Sequence, residues 1–145
     1  MTKRLLSVLL LALLPGVATA IDYRSVSSAT VLYDTPSQRG AKLFVIQRDT
    51  PVEIVVNLEG WAKVRDAEGG LAWIERKFLA EKRTVIVRAE HAEVRQRPED
   101  AAPLAFSAEK GVVLHFLENL PGGWVKVQHR DGATGCVRAS QIWGG

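Results

Sequence analysis

One thiol and three imidazoles are the side chains here best suited to covalent chemistry: Cys136, His91, His115 and His129. A cysteine hydrolase needs its thiol beside a base, at a helix start where the thiolate is favoured. Cys136 instead falls in Gly135-Cys136-Val137, a stretch of strand character, and is expected to be a buried or half-buried structural thiol. His115 lies in the apolar run Val112 to Leu117 and is expected on its solvent face or as a satisfied core residue. Glu90, His91 and Glu93 are close in the chain, but they read as a polar loop rather than as a metal-ligand set. Gly122-Gly123 precedes a strand-like segment, so it offers no helix N-terminus for a phosphate. No catalytic residue, metal or cofactor is expected. Chemistry gives way to binding.

The charge pattern narrows the partner. Lys3 and Arg4 are the only charged residues of the first 20, and the rest carries 17 basic against 16 acidic side chains, a net charge of +1. A nucleic-acid binder needs a concentrated basic face, so that partner is not expected. The same first 20 residues read as a cleavable leader. Lys3-Arg4 is a positive start, Leu5 to Leu14 an apolar run, Pro15-Gly16 a helix break, and Ala18-Thr19-Ala20 a small-residue cleavage site. The run is too short to span a bilayer, which takes roughly 20 residues. No cysteine follows the site, so no lipid anchor is indicated, and the expected location is periplasmic or secreted with no stable membrane anchor. A single cysteine also rules out an intrachain disulfide staple.

The elements that must position any binding residue come as a repeat. Trp61-Ala62-Lys63-Val64 recurs as Trp124-Val125-Lys126-Val127, 63 residues on. Gly60 and Gly123 precede the tryptophans, and Glu68-Gly69 and Asp131-Gly132 follow them. Ala72-Trp73-Ile74 then answers Gly135-Cys136-Val137. The same offset pairs Ala29-Thr30-Val31 with Ala92-Glu93-Val94. Val52 to Val56 and Val112 to Leu117 are β-branched or aromatic-rich runs of strand length. The acid-glycine pairs supply hairpin turns. Trp61 and Val64 are expected to share a face through a local twist or bulge. Ile74 to Glu81 is best read as a short 3₁₀ turn. The linker Ala80 to Arg83 lacks Gly, Pro and Ser, so Thr84 to Val87 is expected to be a strand tying the two repeats together. The expectation is all-β: two tandem small barrels, residues 21–80 and 81–145, after a leader of residues 1–20.

These residues resemble the bacterial SH3 domain family, in particular exported proteins with two such domains in tandem. The likeness rests on the Gly-Trp-x-Lys-Val strands, on Pro36 and Pro98 closing the opening segments, and on Val94-Arg95-Gln96-Arg97-Pro98. In the first copy Leu32 stands where an arginine is usual, and Cys136 replaces the closing tryptophan kept as Trp73. The resemblance implies a non-catalytic module that recognises peptidoglycan, a peptide or an envelope protein. It also leaves open an assembly partner without a small ligand, or a targeting subunit of a separate cell-wall hydrolase. Such domains present rings in a shallow groove, which makes Tyr33, Trp61, Trp73 and Trp124 the candidates. Tyr33 and Trp73 are the stronger ligand candidates, since Trp61 and Trp124 each follow a turn and suit packing over a barrel end. Arg95, Arg97 and Arg138 suit the carboxylates of a wall peptide or a solvated face.

Overall fold

Alternating burial builds the fold strand by strand. The computed structural model describes residues 15–16 and 20–145, so the leader lies outside the described residues apart from Pro15, Gly16 and Ala20. The first repeat forms β1 (Tyr23–Val26), β2 (Thr30–Tyr33), β3 (Lys42–Ile46), β4 (Pro51–Leu58), β5 (Trp61–Arg65), β6 (Leu71–Glu75) and β7 (Leu79–Ala80). A 3₁₀ turn over Arg76–Phe78 separates the last two. The second repeat forms β8 (Thr84–Val87), β9 (His91–Arg95), β10 (Leu104–Glu109), β11 (Val113–Leu120), β12 (Trp124–Gln128), β13 (Thr134–Arg138) and β14 (Ile142–Trp143). Its 3₁₀ turn covers Ala139–Gln141.

Each repeat is one antiparallel sheet, ordered β3-β2-β6-β5-β4-β1-β7 and β10-β9-β13-β12-β11-β8-β14. Closed barrels were expected, but neither hydrogen-bond ladder closes. β3 and the two-residue β7 are edges that do not pair, and a single residue pair, Tyr33 opposite Trp73, joins β2 to β6. The sheet nevertheless curls around one core. Val26, Leu32, Ile46, Val52, Val64 and Ile74, from six different strands, form one buried cluster. Val85, Val94, Leu114, Val127, Val137 and Ile142 form the other. A flat sheet cannot bring one face of all its strands into a common cluster; a strongly coiled one can. The coiling has a local cause. The register slips between Ile54 and Val56 on β4 and between Phe116 and Glu118 on β11. An extra residue in one strand increases its twist, and the two bulged residues, Val55 and Leu117, are pushed out to solvent.

That bulge corrects one expectation. On β5 the buried residues are Ala62 and Val64, while Trp61, Lys63 and Arg65 alternate on the other face. Trp61 and Val64 therefore lie on opposite faces, because the irregularity sits on β4 and leaves β5 in strict period two. Glu90, His91 and Glu93 are corrected too: His91 and Glu93 are exposed residues of strand β9, not loop residues. Thr84 to Val87 is a strand as expected, and it pairs with β11 and β14 of the second sheet. It meets the first repeat through its side chain: the Thr84 hydroxyl donates to the Asp49 carbonyl at 2.6 Å. Beside it, Tyr23 and Trp143 pack edge to face with ring centroids 5.3 Å apart.

Candidate functional site

The outer face of the first sheet gathers three rings. Tyr33 ends β2 and stands opposite Trp73 at the centre of β6, which in turn stands opposite Lys63 on β5. Two residues earlier on β5, Trp61 packs edge to face against Tyr33, with centroids 5.5 Å apart and planes at 82°. The strands force this arrangement: with Ala62, Val64, Ala72 and Ile74 in the core, the residues between them must point outward. Gly60, at φ 74°, closes the turn that delivers Trp61.

A loop, residues 34–41, flanks the rings. The Asp34 carboxylate accepts a hydrogen bond from the Ala41 amide at 2.8 Å, folding the loop back on itself. Gly40 is required there, since a Cβ would come within 2.3 Å of the Thr35 hydroxyl and 2.8 Å of Asp34 Oδ1. The loop is tied to the sheet by Gln38, whose amide donates to Glu75 at 3.2 Å. Glu75 lies opposite Trp61 and is also paired with Lys77 at 3.4 Å. Tyr33 is buried by these neighbours, while Trp61 and Trp73 are half-buried.

The second repeat builds the same face with different chemistry. Arg95 lies opposite Cys136, as Tyr33 lies opposite Trp73, and Trp124 lies opposite Arg138, as Trp61 lies opposite Glu75. The Arg138 guanidinium sits 4.3 Å from the Trp124 ring centroid. It is held there by donating to the Asp100 carboxylate at 2.6 and 3.3 Å and to the Gly122 carbonyl. Trp124 is left 5% exposed. Asp100 occupies the place of Gln38, so the loop-to-sheet tie is a hydrogen bond in one repeat and an ion pair in the other. Arg95 is half-buried and donates to the Ala102 carbonyl at 3.1 Å and to Glu93. Arg97 is exposed on the loop, 3.7 Å from Glu99. The structure thus brings Tyr33, Trp61 and Trp73 together and leaves Trp124, Arg95 and Arg97 apart from them.

The register also moves one residue. Leu32 is a core residue facing Phe44, as Val94 faces Phe106. Tyr33, not Leu32, therefore takes the place of Arg95. The offset between repeats is 62 across these strands and becomes 63 only after the β4–β5 turn. That turn is Glu59-Gly60 in the first repeat and Pro121-Gly122-Gly123 in the second. The single inserted residue hid the match of Gln38 with Asp100 from sequence reasoning, and aligning the repeats around that turn recovers it.

Cys136 is buried, and burial pushes its thiol above the ordinary range. A thiol held in its protonated form is a poor nucleophile. His129 sits beside Phe106 and pairs with Asp131 at 3.1 Å. Among the described residues no group of three or more His, Cys, Asp or Glu is placed to hold a metal ion, and no helix is long and apolar enough to cross a membrane.

Two curled all-β sheets, each packed around its own core, make a tandem repeat of one domain. Residues 26–81 and 88–144 each match the model of the bacterial SH3 domain, and the chain belongs to that family. Domains of this kind bind rather than catalyse. No curated protein matches the chain. Among solved structures, it is similar to NlpC2 from Trichomonas vaginalis at 16% identity and a TM-score of 0.40, covering 86% of this chain and 48% of that one. It is also similar to NlpC1 from Trichomonas vaginalis, at 14% and 0.40, covering 87% and 46%. An NlpC/P60 family protein from Bacillus cereus matches at 13% and 0.38, covering 84% and 56%. The chain spans about half the length of each of these.

Proposed function

We propose that this chain is an exported, non-catalytic binding protein whose first domain recognises a cell-wall peptide or peptidoglycan fragment through Tyr33, Trp61 and Trp73. The supporting observation is the contrast between the two faces of one molecule. The first keeps two partly exposed indoles, one braced by a tyrosine, whereas the second buries its one indole under a guanidinium. Rigid rings give a flat ligand large contact area at little cost in side-chain entropy. Lys63, beside Trp73, adds a cation for a peptide carboxylate. The leader in residues 1–20 would carry the chain to the compartment where that ligand exists.

Retention of the purified chain on isolated sacculi tests this reading. Trp73 is partly exposed and outside the core cluster, so Trp73→Ala should abolish retention while shifting the melting temperature by no more than a few degrees. Retention equal to that of the unsubstituted chain, or no retention of either, would overturn the proposal.

A further inference from the structure

Strand β3 differs from its counterpart in the second repeat in a way the core does not explain. It is the edge of the first sheet, paired on one side only, with β2. Leu43, Phe44 and Val45 are 47%, 45% and 58% exposed. An edge strand offers a row of unpaired amides and carbonyls, and natural proteins usually guard it with charge or cover it. The matching edge, β10, carries Ala105 and Ser107 where β3 has Leu43 and Val45, by the register that sets Phe44 and Phe106 opposite Leu32 and Val94. Phe106 packs against its core, while Phe44 does not join the first core's packing. One fold thus carries two edges: β10 sets one exposed leucine, Leu104, among small and polar residues around a partly buried Phe106, whereas β3 exposes three consecutive large apolar residues.

The charges beside β3 point to its occupant. Lys42 opens the strand and Arg39 and Arg48 flank it, and among the described residues none of them has a carboxylate within ion-pairing distance. A second copy of this chain would bring the same three cations onto the seam, and like charges placed together are unfavourable. An acidic partner would neutralise them.

We propose that β3 captures an extended segment of a partner protein as an added strand, apolar at its centre and flanked by carboxylates. The backbone would supply the hydrogen bonds, Leu43, Phe44 and Val45 the apolar contact, and Arg39, Lys42 and Arg48 the choice of sign. This site adjoins the aromatic face, since Lys42 stands opposite Tyr33 and Arg39 lies in the loop beside the rings, but Trp73 is not paired with β3.

The probe is a short synthetic peptide of alternating valine and threonine with paired glutamates at both ends, titrated into the ¹⁵N-labelled chain. A twin flanked by paired lysines is the control. The expected result is amide shifts confined to Lys42–Ile46 and β2, with the acidic peptide binding at least about tenfold more tightly than the basic one. The double variant L43A/V45S, which copies β10, should lose binding while keeping its melting temperature. Trp73→Ala should bind the peptide unchanged, so failure here is distinguishable from failure at the sacculus. The proposal falls if the acidic peptide shifts no β3 amide, if both peptides bind alike, or if L43A/V45S still binds. It falls equally if the β3 amides shift with protein concentration alone, which would make the occupant a second copy.

Discussion

Replacing Arg138 by alanine removes the guanidinium that closes the second domain's face over Trp124. Two contacts set the size of the effect. A cation over a ring at a solvent-accessible site is worth about 0.5–1 kcal/mol, and here the distance is 4.3 Å. The Asp100 pair is short at 2.6 Å, but the two side chains are 39% and 77% exposed. Solvent screening therefore puts it near the middle of the range for surface pairs, about 0.5 kcal/mol. Together R138A should cost about 1–1.5 kcal/mol. For a domain of this size, one kcal/mol lowers the melting temperature by roughly 4–8 °C, so a fall of about 5–10 °C is expected. D100A removes only the ion pair and should cost about a third to a half as much, and molar salt should erase most of that smaller loss. Calorimetry reads the stability, and the Trp124 indole N–H resonance reads the opening through faster exchange with water. If R138A melts within a degree of the parent and the Trp124 resonance is unmoved, the guanidinium does not cap the ring and the contrast between the two faces fails.

Two further outcomes follow from the packing. A Cβ on Gly135 would come within 2.6 Å of Val94 Cγ1 and 2.7 Å of the Arg95 carbonyl oxygen; G135A should therefore cost about 1–3 kcal/mol by denaturant melting, although the first repeat carries Ala72 at the matching place. Burial raises the Cys136 thiol pKa, so the thiolate is scarce at neutral pH in the folded chain. Iodoacetamide labelling should be much slower than for the urea-unfolded chain at pH 7.5, and should accelerate as pH climbs; equal rates at neutral pH would contradict the burial.

How much was legible beforehand varies by level. The duplicated Trp-x-Lys-Val strands and acid-glycine turns mark two all-β units, because period-two alternation and turn chemistry are local properties that sequence displays directly. The ring residues were legible as candidates for the same reason. Which of them share a face was not. Tyr33 and Trp73 are 40 positions apart in sequence, and they meet through a single cross-strand pair that depends on how tightly the sheet coils. Leu32 was misplaced because one residue inserted in the β4–β5 turn shifts every earlier strand against its counterpart, and a one-residue slip reverses which side chains are buried.

The amino-acid order alone determined the class of fold, the duplication and the identity of the aromatic residues, since each of these is written within a strand or a turn. Tertiary structure alone decided that one indole is capped while two stay partly exposed, that Asp100 reaches Arg138 across 38 residues, and that β3 is left as an open edge. Those outcomes depend on the angle at which distant strands meet around a small core, and no local stretch of sequence contains that angle.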